Sequence, residues 1–122
     1  MIGETSIVEK PAVAEEAFDT EYLIAKFGST DDKIKKAVSA TADALIGVVQ
    51  GKAKKDAQVN VMILGVSLVK AGGAITRGNT LTSDANGKAI ATTTAKNYLI
   101  GIAMASGADG DLIPVLLSQT VL

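Results

Sequence analysis

Leu45–Leu64 reads LIGVVQGKAKKDAQVNVMIL, and fifty-four positions on Leu99–Ser118 reads LIGIAMASGADGDLIPVLLS. Overlaid without a gap, the two share Leu45 with Leu99, Ile46 with Ile100, Gly47 with Gly101 and Val61 with Val115. Conservative pairs fill the space between: Val48 with Ile102, Val59 with Ile113, Met62 with Leu116 and Ile63 with Leu117. Each copy is an apolar run, a tight polar loop and a second apolar run, which is the pattern of a β-hairpin. Glycine weakens a strand unless it marks a bulge or a close backbone approach. Gly47 and Gly101 are therefore expected at equivalent bulges, bending two equivalent hairpins into one closed barrel.

The same punctuation continues outward from the doubled stretch. Strand-like runs are expected at Tyr22–Phe27, Ile34–Ser39, Leu45–Gln50, Val59–Leu64 and Val66–Lys70, with Gly65 as a bend between the last two. Thr80–Thr82, Lys88–Thr92, Leu99–Met104 and Leu112–Leu117 complete the set. Asn86-Gly87 joins two of these as a hairpin turn, because both residues tolerate positive φ. Pro11–Phe18 allows a short helix opened by proline in its first turn. Ala37–Leu45 does not, because Ser39, Thr41 and Asp43 alternate with apolar neighbours at period two. The expected class is all-β: a compact β-barrel, or a β-tulip or sandwich, over residues 22–122, with an extended N-terminal arm over residues 1–21.

Composition narrows the function. A chain of 122 residues suits one domain with a real core. Its apolar residues are aliphatic, and its only rings are Phe18, Tyr22, Phe27 and Tyr98. That argues against stacking platforms for single-stranded nucleic acid or sugar. The net charge of −1 gives no overall attraction to DNA or RNA. The charge is unevenly placed: six acids and one lysine in residues 1–21, then seven lysines and three acids in residues 26–55. Such a distribution fits either a solvated surface or docking on a partner of alternating sign. MIGETSIVEKP has neither the basic start nor the apolar centre of a signal peptide, and no apolar run is long enough to span a membrane.

Catalytic chemistry finds little to work with. The chain has no Cys and no His, which removes thiol nucleophiles, disulfides, imidazole bases and the usual zinc ligands. Asp109 and Asp111 flank Gly110 in a turn and read as turn-formers. Asp84-Ala85-Asn86-Gly87 begins like a calcium loop but lacks the later oxygen ligands and the distal Glu. AGGAITRG, residues 71–78, matches neither GxGxxG nor a P-loop. No catalytic, cofactor-binding or metal-binding residue is assigned.

The order of the segments resembles a known family. Ile46-Gly47-Val48, then AGGAITRGNTLTSDANGKA from Ala71 to Ala89, then Ile100–Ala103, and last GDLIPVLL from Gly110 to Leu117 are similar to the capsid cement, or head decoration, proteins of tailed phages. The resemblance covers roughly residues 22–119. It implies a non-enzymatic β-barrel module that forms a homotrimer on the outer surface of the phage head. There it would clamp neighbouring major capsid proteins after the shell expands against packaged DNA. It implies a virion protein assembled in the host cytoplasm, with no cofactor and no direct contact with nucleic acid or membrane. The leader is the candidate clamp: Ile2, Ile7, Val8, Pro11 and Val13 are apolar anchors scattered through an acidic segment, fitted to lie across a neighbouring subunit. Two rival readings are a carbohydrate-binding or host-attachment module using loops 51–56 and 106–111, and a small β-clip enzyme or accessory barrel. The scarcity of rings opposes the first, and the lack of His, Cys and clustered carboxylates opposes the second.

Overall fold

The computed structural model describes residues 5–41 and 43–121, with side chains from residue 8 onward. Among these it forms nine strands and no helix: β1 (Thr5–Ala14), β2 (Ile24–Phe27), β3 (Lys33–Lys36), β4 (Leu45–Val49), β5 (Gln58–Lys70), β6 (Thr80–Ser83), β7 (Ala89–Ala91), β8 (Tyr98–Ala103) and β9 (Leu112–Val121). The class expected from the sequence is the class observed.

Five strands close a barrel in the order β1-β3-β2-β4-β5, because β1 pairs with both β3 and β5. Ala12, Ala14, Phe18, Ala25, Ile34 and Val61 fill its interior. Two small alanines on β1 let that strand lie close over the core. The first half of β5 belongs to this barrel, pairing with β1 and β4. Gly65, at φ 120°, bends the strand, and from Val66 its partner becomes β9. Beyond β9 come β8, β6 and β7. A parallel bridge from Ala71 to Ala89 brings the end of β5 back to β7, completing a second five-stranded ring.

The doubled stretch is thus part of a larger repetition, two tandem barrels that share β5. Val48 pairs with Met62 as Ile102 pairs with Leu116. The Ala14 amide donates to the Ala57 carbonyl at 2.9 Å, and the Ala71 amide donates to that of Asp111 at 2.8 Å. Phe18 and Ala53 exchange two backbone bonds, as do Ile75 and Gly107. Even the left-handed positions coincide: Tyr22 (φ 60°) stands where the second barrel has Gly78 (φ 93°). In this sense the second barrel uses β5 as the first uses β1. The expectation of one barrel built from two hairpins is therefore revised, since each hairpin belongs to a barrel of its own.

The two glycines mark the close backbone approaches expected of them, but the bulges beside them are not equivalent, because β4–β5, the counterpart of β8–β9, has no register shift. Each adjoins a register shift, between Ala25 and Lys26 along the β2–β4 pair and between Leu99 and Gly101 along the β8–β9 pair. A Cβ on Gly47 would collide with the Met62 carbonyl oxygen, and one on Gly101 with that of Leu116.

Other local expectations change. Residues 11–14 are strand, not helix: Ala12 and Ala14 point inward while Pro11 and Val13 do not, a period of two. Pro11 is tolerated because β3 joins β1 only at Val13, leaving β1 an open edge at Pro11. The strand expected at 34–39 stops at Lys36, because the buried Asp43 carboxylate accepts the amides of Val38 (2.8 Å) and Ser39 (2.9 Å) and turns the chain. The runs 59–64 and 66–70 are one bent strand. The hairpin through Asn86-Gly87 joins β6 to β7 as expected, but only Gly87 is left-handed (φ 76°), because the loop is longer, closed by the Asp84 amide donating to the Lys88 carbonyl.

Candidate interaction surfaces

Among the described residues, no group of three or more His, Cys, Asp or Glu is placed to hold a metal ion. The aspartates singled out in the sequence are occupied with turns. Asp84 Oδ1 accepts the amides of Asn86 (2.8 Å) and Lys88 (3.0 Å), and Asp111 Oδ2 accepts that of Ala108 (2.8 Å). What the surface offers instead is apolar contact area and paired charge.

Of the leader residues named as anchors, Ile2 lies outside the described residues. The backbone of Ile7 lies in β1, at a register shift between Ser6 and Val8. Val8 and Pro11 are exposed on the outside of β1, and Val13 is half-buried there. These three therefore face away from the barrel interior along one strand. Residues 5–14 and the rest of the chain form one hydrogen-bonded sheet.

The leader's acids meet the chain's own lysine-rich segment. Glu15 accepts the Ser29 amide at 2.6 Å and its hydroxyl at 2.8 Å, and lies 3.8 Å from the Lys35 ammonium. The Ser29 amide, the Ser29 hydroxyl and the nearby lysines hold its carboxyl below the ordinary range. Glu16 accepts the Lys36 amide at 2.9 Å, and Lys10 pairs with Asp32 at 3.8 Å. The alternation of sign along the sequence is thus used partly within the molecule. Asp43 is the most deeply placed acid of this region. Burial pushes its pKa up, but the Val38 amide, the Lys26 ammonium at 3.2 Å and the Ser39 amide outweigh that and leave it low.

The barrels differ most at one end. In the second, that end is stoppered by the outer face of the first: Ile24, Val48 and Met62 share a core cluster with Ile100, Val115 and Leu117. The contact is hydrogen-bonded too, with the Ile24 amide donating to the Gly87 carbonyl at 2.8 Å and Ser83 Oγ to the Ala37 carbonyl at 3.2 Å. The same end of the first barrel opens as a cleft of about 80 Å³ over Ala12, Ile34, Ile46 and Val61. Phe27 stands at its rim, 68% exposed. On the second barrel the counterparts of Val48 and Met62 are bare, while that of Ile24 is the half-buried Thr80. Val48 and Met62 are 0% and 1% exposed, whereas Ile102 and Leu116 are 41% and 44% exposed. Sequence reading missed both surfaces, because an exposed Phe or Leu looks like any core residue until its strand is placed.

The family model described as phage cement protein matches residues 25–117. The solved structure of the head fiber N base of bacteriophage phi29 is similar over 94% of this chain and 97% of that chain, at 26% identity and a TM-score of 0.72. No curated protein matches by sequence.

Proposed function

The chain belongs to the phage cement protein family, and we propose that it is a non-enzymatic cement of the phage head that binds the outside of the expanded shell and clamps neighbouring major capsid proteins. The observation that carries this is the family match over residues 25–117, which takes in both hairpin repeats but not β1. The likeness to a phage head fiber base supports the same location, the virion capsid. Two further features support it. Two barrels sharing a strand make a rigid body, and its side chains offer contact area rather than a reaction centre.

The mechanism is thermodynamic. A protein that binds only the expanded shell stabilises that state by mass action. We place the chain on the shell as a homotrimer, assembled in the host cytoplasm and touching neither nucleic acid nor membrane. Repetition around a trimer then lets modest contacts per subunit add up. Val8, Pro11 and Val13, exposed or half-buried on β1, are the proposed capsid contacts, together with Ile2 and Ile7 of the same leader sequence.

Co-sedimentation with cement-free shells tests this. Saturable binding to expanded shells, little binding to unexpanded ones, and loss in the double variant V8D/V13D are expected. Absence of binding to expanded shells overturns the proposal. A glycan array with strong hits would then favour host attachment.

A further inference from the structure

The interface between the two barrels is one half of a relationship that the molecule leaves open at both ends. The second barrel presents its open end to Ile24, Val48 and Met62 on the first. The first barrel presents the equivalent open end, rimmed by Phe27, to solvent. The second barrel in turn presents to solvent Ile102 and Leu116, the equivalents of Val48 and Met62. Socket and plug are thus both unpartnered, on opposite barrels of one chain.

We infer that these surfaces belong to each other across copies: Ile102 and Leu116 of one protomer dock into the Phe27-rimmed cleft of the next. The occupant is a second copy because the molecule already contains the matching contact, made on equivalent strands by Val48 and Met62, the equivalents of Ile102 and Leu116, with Thr80 in place of Ile24. The chemistry agrees. The cleft floor is aliphatic and its wall carries Lys33 and the Lys10–Asp32 pair, and its about 80 Å³ accommodates one aliphatic side-chain tip, roughly two to three waters' worth of space. The plug is uncharged, and the cross-strand pair of Ile102 with Leu116 holds it flat. The β9 strand leaves it accessible by running on beside β8, where Val121 pairs with Tyr98.

Such a contact is head-to-tail, with different patches on the two partners. It generates a closed ring when the rotation between copies closes, and an open chain otherwise. It supplies the surfaces for the trimer proposed above and rests on that part of the reading. Its test runs without shells, so its failure leaves capsid binding to be judged separately.

The test uses two variants that each destroy one half. F27D spoils the socket and keeps the plug; L116D spoils the plug and keeps the socket, with I102D as a second plug variant. All three positions are exposed, and circular dichroism checks the fold. Light scattering is expected to find wild type well above its 12.4 kDa protomer mass, each variant alone at the protomer mass, and an equal mixture of F27D and L116D at twice that mass. Because the chain has no cysteine, F27C mixed with L116C should form a mixed disulfide in preference to either homodimer. A monomeric wild type, variants that still assemble alone, or a mixture that stays monomeric would overturn the inference. A monomeric wild type whose F27D variant loses shell binding would assign the socket to the capsid protein instead.

Discussion

Replacing Gly47 or Gly101 by alanine asks whether the two barrels are physically equivalent. In each case the new Cβ meets a carbonyl oxygen of the facing strand, Met62 or Leu116, and lies 3.1 Å from Val61 Cγ1 or 3.0 Å from Val115 Cγ1. Backbone cannot swing aside as a side chain does, so the hairpin must open. Overpacking of this kind costs typically 1–3 kcal/mol, and loosening one or two cross-strand hydrogen bonds adds roughly 1 kcal/mol each. Lower unfolded-state entropy returns about 0.4–1 kcal/mol. The net expectation is about 3 kcal/mol for each variant, a fall in Tm on the order of 10 °C for a domain of this size. Gly51→Ala is the control: a Cβ there meets nothing within 4 Å, so it should be neutral or stabilise by up to about 1 kcal/mol. Urea titration followed by circular dichroism measures all three. If either G47A or G101A stays within about 0.5 kcal/mol of wild type, the ordinary scatter of surface substitutions, the close-approach explanation is wrong.

Other perturbations follow from the same structure. D43N should destabilise by about 2 kcal/mol, because one carboxylate serves two amides and an ammonium. Since the folded pKa of Asp43 lies below its unfolded value, its contribution is present above pH about 4 and fades as pH falls through the folded value. D43N should therefore flatten the acid limb of a stability–pH curve, and an unchanged limb would count against it. Phe18→Ala removes a fully buried ring from the core of the first barrel and should cost about 3–5 kcal/mol by chemical denaturation. Gln119→Ala removes the donor that satisfies the carbonyls of Ile46 (2.7 Å) and Ile63 (2.9 Å). It should cost about 1 kcal/mol and speed amide exchange along β4 and β5, which hydrogen exchange would detect.

Much of the fold was legible because hairpins advertise themselves. The glycine inside an aliphatic run, the Asn-Gly turn and the period-two stretches each have a local cause, and the strands they announced are present. The strand β1 was not legible as barrel wall. Its inward residues are alanines, its alternation is broken by shifts on both sides of Val8, and its acids suggested a free leader. Glu15 and Glu16, just after β1, bind Lys35, the Lys36 amide and Ser29 on β3 and the connection before it, a long-range pairing that no local window reveals. The full repetition was hidden for a related reason. Ala14 matches Ala71 while Val61 matches Val115, so the spacing slips along the chain and an ungapped overlay catches only the hairpins. Surfaces were the least legible part. Leu116 and Met62 are equivalent in sequence pattern, and only the neighbouring barrel makes one buried and the other bare.

As proposed, the protein holds an expanded phage head together. The most direct measurement is the temperature at which DNA-filled heads stripped of the protein rupture, read by dye access to DNA, before and after adding it back. Adding back wild type should raise that temperature saturably, and a variant that no longer binds shells should not. Heads that bind the protein yet rupture at an unchanged temperature would contradict the cement role.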